Sequence, residues 1–240
     1  IMSTTNICLG CTLSQSFNDD DLDTSAARSE ILNRIRSLQS RPVTMRDNEM
    51  TLAKGYLARK TRGPAPSPVE NVVALFEEKS RAMLCTVQRV KSNAEVPEAC
   101  AAYLAENELK GTVAIWPALN QLDWSVLPHV ARLGAPTGDD LIGISAVACA
   151  VAETGTLVFA SKADEPASTH LLPETHIAIV REDQVVHPME DAFEMLRKEV
   201  RIMPRALNFV SGPSRTADIE QTIVLGAHGP YRVHLILVGK

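Results

Sequence analysis

The stretch Leu141–Phe159, LIGISAVACAVAETGTLVF, carries one charge in nineteen residues, the carboxylate of Glu153 ahead of Thr154-Gly155-Thr156. Short β-branched runs broken by a glycine turn read as successive strands rather than a helix. Their side chains are apolar on both faces, so both faces need cover. A mainly parallel sheet flanked by helices supplies it.

The flanks repeat the theme. Upstream, CTVQRV (Cys85–Val90) leads into a helical stretch, PEACAAYLAENEL, and then GTVAIW (Gly111–Trp116). Downstream, HIAIVRE, a helix through MEDAFEMLRKEV, ALNFVSG and YRVHLILVG follow in turn. Strands alternating with helices predict the α/β class. Only between Gly143 and Arg181 do strands follow one another across short polar breaks, which predicts an antiparallel or meandering part of the sheet.

Residues 1–24 are polar, with an acidic cluster NDDDLD, and are expected to form a flexible arm. From Ser25 a helical stripe of Ile31, Leu32, Ile35 and Leu38 opens a helical extension. RGPAPSP is the linker that closes this 25–66 region, and VENVVALFEEKSRAM begins the α/β domain, 67–240, with another amphipathic helix.

A length of 240 residues allows one large domain or at most two small ones, and a net charge of -5 with no basic stripe argues against nucleic-acid binding. The longest apolar segments are too short to cross a bilayer, and no secretory signal is evident, so no membrane partner and a cytoplasmic location are expected. Cys8, Cys11, Cys85, Cys100 and Cys149 are scattered, and the lone C-x-x-C at Cys8 and Cys11 lacks further ligands nearby. No metal site and no cofactor are expected in this chain. Neither a dinucleotide fingerprint nor a P-loop is present.

Three segments place polar residues at strand ends: AETGT at 152–156, SGPSRTADIE at 211–220, and GAHGP at 226–230. Ser211-Gly212-Pro213 reads as a turn, and Ser214 or Thr216 as the N-cap of a short helix with Arg215 beside it, an arrangement suited to a carboxylate or phosphate. A well-capped helix with Asp218 and Glu220 in its first turns explains the same residues equally well. Glu153 reads either as a surface carboxylate or as one on a pocket floor with a raised pKa, fit for nucleophilic or acid–base work. His228, between glycines, is a base, a ligand or a turn residue.

Taken together, GISAVACAVAETGTLVF, LLPETHIAIVREDQVV, SGPSRTADIEQTIVLGAHGP and the closing VHLILV resemble the LUD domain family from about Gly143 onward. One departure is SKADEPASTHLLP, where Pro166, Ala167, Ser168, Thr169 and His170 stand in place of the family's arginine followed by Ser-Leu-Leu-Pro. The resemblance implies an isomerase and CoA-transferase-like, Rossmann-like α/β fold. It also implies a part in oxidising L-lactate to pyruvate beside cysteine-rich and iron–sulfur lactate utilization subunits, with the clusters in those partners. The likeness adds weight to Glu153 as a catalytic group, and the three strand-end segments are expected to form one pocket, with Glu153 and His228 as catalytic groups and Thr154, Gly155, Thr156, Ser211, Gly212, Ser214, Arg215, Thr216 and Asp218 binding a small carboxylate or phosphate. The alternative is a free-standing enzyme on a small acid with Glu153 as nucleophile or base.

Overall fold

A computed structural model describes residues 23–42, 44, 46–59, 61–127, 131–199, 204–217 and 223–239. The chain divides into two units, Ile1–Thr61 and Arg62–Lys240. In the first lie α1 (Ser25–Leu38) and α2 (Asp47–Arg59), neither with a buried residue. The sequence reading passed over α2, although Asp47 and Glu49 in its first turn and Arg59 in its last complement the helix dipole.

The second unit opens with α3 (Val72–Ala82), capped by the Asn71 side chain, which accepts from the Ala74 N–H. Then come β1 (Thr86–Val90), α4 (Val96–Glu106), β2 (Val113–Ile115), β3 (Ala131–Leu133) and β4 (Ile142–Ala146). The opening stretch continues as β5 (Cys149–Val151) and β6 (Thr156–Ala160), followed by α5 (Ser168–Leu171) and β7 (Thr175–Arg181). The chain ends through β8 (Val185–Val186), α6 (Met189–Glu199), β9 (Leu207–Val210), β10 (Arg215–Thr216), β11 (Val224–Leu225) and β12 (Arg232–Val238).

Six strands form a wholly parallel sheet in the order β1-β12-β7-β4-β2-β3. The inner strands β2, β4, β7 and β12 are buried almost throughout, whereas the edge strands β1 and β3 are largely accessible. This is the α/β fold that the apolar runs predicted.

The departure from alternation also appears where expected. β5 and β6 form an antiparallel hairpin at the centre of a second sheet, β8-β5-β6-β9. Alternation along the hairpin splits its side chains between two cores. Ala150, Ala152, Leu157 and Phe159 join the main core, while Cys149, Val151, Val158 and Ala160 pack with Ala192 and Leu196 of α6. Cover on both faces accounts for the unbroken apolar character of Ala146–Ala152.

Candidate functional site

The polar residues singled out in the sequence gather at the amino-terminal edge of the parallel sheet. Their anchor is the C-terminus of α3, just before β1. The Leu84 N–H donates to the Arg81 carbonyl (2.9 Å) and the Cys85 N–H to that of Ser80 (3.0 Å), a Schellman closure with Leu84 at φ 68 where glycine is usual. The hairpin turn at Gly155 (φ 63) lies against this end: a Cβ there would stand 2.7 Å from the Ser80 nitrogen. At Gly212 (φ 79) a Cβ would meet the Met83 carbonyl oxygen at 2.1 Å. Both positions therefore demand glycine.

A short hydroxyl chain ties the two turns together. Thr154 Oγ1 lies 2.6 Å from Thr156 Oγ1, which lies 2.7 Å from Ser211 Oγ. Ser214 is held differently: its N–H donates to the Pro230 carbonyl (2.9 Å) and its carbonyl accepts from the Gly226 N–H (2.9 Å). That contact brings the GAHGP bend beside it, with His228 exposed. Glu153 is exposed on the hairpin turn, its N–H donating to the His187 carbonyl at 3.1 Å. Glu153 thus stands at the surface and not on a pocket floor.

Arg215 requires a correction too. Among the described residues no helix starts at Ser214 or Thr216; Arg215–Thr216 is a strand paired antiparallel with Val224–Leu225, favoured by the β-branched Thr216 and Val224. The Arg215 guanidinium donates to the Met83 carbonyl (3.1 Å), so it meets the negative end of the α3 dipole, not the positive end of another helix. Asp218 lies outside the described residues, as do Cys8 and Cys11.

At the opposite, carboxyl-terminal edge lies a crevice of about 320 Å³. The chain leaves β2 toward β3 on one side and returns to β4 on the other, so the crevice occupies the point where strand order reverses, the usual ligand position in open α/β sheets. Trp116 and Leu119 follow β2, Ala146 and Val147 end β4, Arg181 ends β7, and Lys162 and Glu165 follow β6. None of the described residues predicted for the site lines it.

Its wall is tied by Gln184, whose amide donates to the Val147 carbonyl (3.1 Å) and whose Oε1 accepts from the Arg181 N–H (3.2 Å). Lys162 pairs with Glu165 at 3.0 Å and Arg181 with Asp183, which balances the charge around the opening. The Trp116 indole donates to the Pro166 carbonyl (3.1 Å) and stands edge-on to Phe159 and His170. Behind it, His170 stacks on Phe159, and His176 Nε2 sits 2.8 Å from Ser145 Oγ. Burial pushes His170 down to about 4; burial and then the neighbouring His170 push His176 down to about 3. Both are neutral at pH 7.

The LUD domain family matches residues 139–238, from just before β4 to the end of β12. Over those residues the chain is similar to the LUD domain family. Lactate utilization protein C of Geobacillus kaustophilus is 37% identical over 127 residues, covering 51% of this chain and 53% of that one. The Bacillus subtilis protein of the same name is 39% identical over 100 residues, 40% of this chain and 42% of its own. Among solved structures, a DUF162 family protein from Deinococcus radiodurans superposes with a TM-score of 0.55 at 27% identity, covering 72% of this chain and all of its own. The chain spans about half the length of the curated relatives it matches, or less.

Both edges draw on the region that matches the LUD domain family. Glu153, Thr154, Thr156, Ser211 and Arg215 belong to it, and so do Ala146, Val147, Lys162, Arg181 and Gln184. Trp116 and Leu119 come from outside it, which explains how sequence reading missed the crevice. Its lining is spread over five segments between Asn93 and Gln184, each unremarkable alone. The available signal was positional: residues one to three steps past the predicted strands β2, β4 and β7.

Proposed function

We propose that this chain serves lactate utilization as a LUD-domain component that binds a small carboxylate and works with iron–sulfur-bearing partner subunits. The observation that carries the reading is the match of its LUD-similar region to proteins named lactate utilization protein C. The crevice at the strand-order reversal supports it. Apolar Trp116, Leu119 and Ala146 suit the carbon skeleton of a short acid, while Lys162 exchanges Glu165 for the incoming carboxylate.

Oxidation of L-lactate to pyruvate releases two electrons and two protons, and the reading assigns the electrons to clusters in the partners. Cys85, Cys100 and Cys149 of this chain are buried, and burial pushes the Cys85 and Cys100 thiols up to about 11 and about 12, unfavourable for thiolate ligation.

A Bacillus subtilis strain lacking its lactate utilization protein C tests this directly. Expression of this chain is expected to restore growth on L-lactate, and stable expression without growth would break the reading. A second reading keeps Glu153 as nucleophile or base of a free-standing CoA-transferase-like or isomerase-like enzyme. What favours it is the exposed carboxylate on a turn buttressed by α3. Loss of turnover of a small acid or its CoA ester in Glu153→Gln, with the fold intact, would support this second reading.

A further inference from the structure

Beside the crevice lies a second cavity of about 340 Å³, and Asn93 and Arg181 stand in the walls of both. Each volume reaches the roughly 300 Å³ at which small-molecule sites begin. The second cavity is built on the carboxyl ends of β1, β12 and β7, where Val90 pairs with Val238 and Val238 with Arg181. Neighbouring strands stand about 4.8 Å apart, so β1 and β7 face each other roughly 10 Å apart across β12.

That spacing suits a small anion gripped from two sides. Lys91 follows β1 and Arg181 ends β7, while between them β12 runs out at Gly239, which adds no side chain to the gap. Ser92 and Asn93 supply a hydroxyl and a carboxamide, and neither side chain has a hydrogen-bond partner among the described residues.

Charge points the same way. Among the described residues the Lys91 ammonium forms no ion pair, and Asp183, the carboxylate on the lining, is already held by Arg181. Glu95 lies outside the lining and accepts the Lys91 N–H at 3.0 Å, which fixes the turn that carries the lysine. A phosphate brings three accepting oxygens and close to two charges to such donors, more of each than a carboxylate.

We propose that this second cavity binds a phosphate group between Lys91 and Arg181, beside the crevice proposed for the small acid. Free phosphate and a phosphate carried on the acid's own chain present the same chemistry there. The first crevice centres on β4 and the second on β12, two strand spacings or roughly 10 Å away. A phosphate on a three-carbon acid falls short of that span, whereas a chain of about six carbons bridges it. Only the carried form rests on the acid reading; the phosphate site itself stands without it.

Calorimetry of the full chain with inorganic phosphate, L-lactate, 3-phosphonopropionate and 6-phosphonohexanoate tests this. Phosphate is expected to bind, about tenfold or more weaker in Lys91→Ala, unchanged in Lys162→Ala and largely restored in Lys91→Arg. Lys91 is exposed, and circular dichroism checks that each variant is folded. If the phosphate is carried, 6-phosphonohexanoate binds at least tenfold tighter than phosphate or 3-phosphonopropionate and weakens with either alanine substitution. Equal affinity for the three means that phosphate arrives free, and the site stands. No binding of phosphate at millimolar concentration overturns the proposal, as does phosphate binding indifferent to Lys91→Ala or lost in Lys162→Ala. L-lactate bound by a chain that ignores phosphate breaks this proposal alone, and phosphate bound by a chain that ignores L-lactate breaks only the acid reading.

Discussion

The two edges of the parallel sheet divide the labour differently. At the amino edge, glycines, hydroxyls and Arg215 close the end of α3 and hold two turns against it. At the carboxyl edge, paired ions, one indole and a carboxamide surround an open crevice. Strands of five to seven residues hold these edges roughly 15–20 Å apart. Polar residues grouped in sequence served the fold, whereas those scattered in sequence met at a cavity.

The largest expected effect probes the buried histidines, two of them behind the crevice and His234 stacked on Tyr103. His170, His176 and His234 fold as neutral groups at about 4, about 3 and about 4, against an unfolded value near 6.5. Above pH 6.5 they are neutral in both states and contribute no pH dependence. Below it the unfolded chain takes up protons that the folded chain refuses, so stability falls as pH drops toward 4. Each histidine removes on the order of 2 kcal/mol by pH 5. Urea titrations at pH 7, 6 and 5 check this, and a flat midpoint would mean that the histidines are accessible to protons in the native state.

Gly212→Ala comes next, because it strikes only the amino edge. Its φ of 79 and the Met83 carbonyl 2.1 Å from the new Cβ predict a loss of about 3 kcal/mol. Chemical denaturation reads it.

Arg215→Ala and Lys162→Ala separate the edges by kind of effect. Removing the exposed Arg215 guanidinium, which closes α3, costs about 1 kcal/mol of stability and leaves carboxylate binding unchanged. Removing Lys162 changes stability by less than about 0.5 kcal/mol, since its ion pair is exposed, but weakens binding of L-lactate or pyruvate about tenfold or more. Calorimetry on both variants decides it, and binding lost in the Arg215 variant alone would move the ligand to the amino edge.

Leu84→Gly is the smallest expected change. It relieves the left-handed backbone at the α3 closure and is expected to raise the melting temperature slightly, by a gain of about 0.5 kcal/mol.

Legibility followed the range of the interaction responsible. β4, β5, β6, β7 and β12 could be read directly because burial on both faces leaves a continuous apolar run. β3, β8, β10 and β11 have only two or three residues each and were not read, since pairing with neighbours rather than local preference forms them. At the candidate site the turns at Gly155 and Gly212 were recognised as turns, because positive φ selects glycine locally. Their partner, the C-terminus of α3, lies more than seventy positions before Gly155 and left no mark on either motif.

By itself the sequence determined the α/β class, the antiparallel interruption between Gly143 and Arg181 and the likeness to the LUD domain, because periodicity, turn chemistry and motif order are local properties of the chain. Only the tertiary structure decided that Glu153 stands exposed, that Arg215 closes a helix end, and that Trp116, Lys162 and Arg181 share a crevice. Those facts depend on strand order, which is set by packing among segments tens of residues apart.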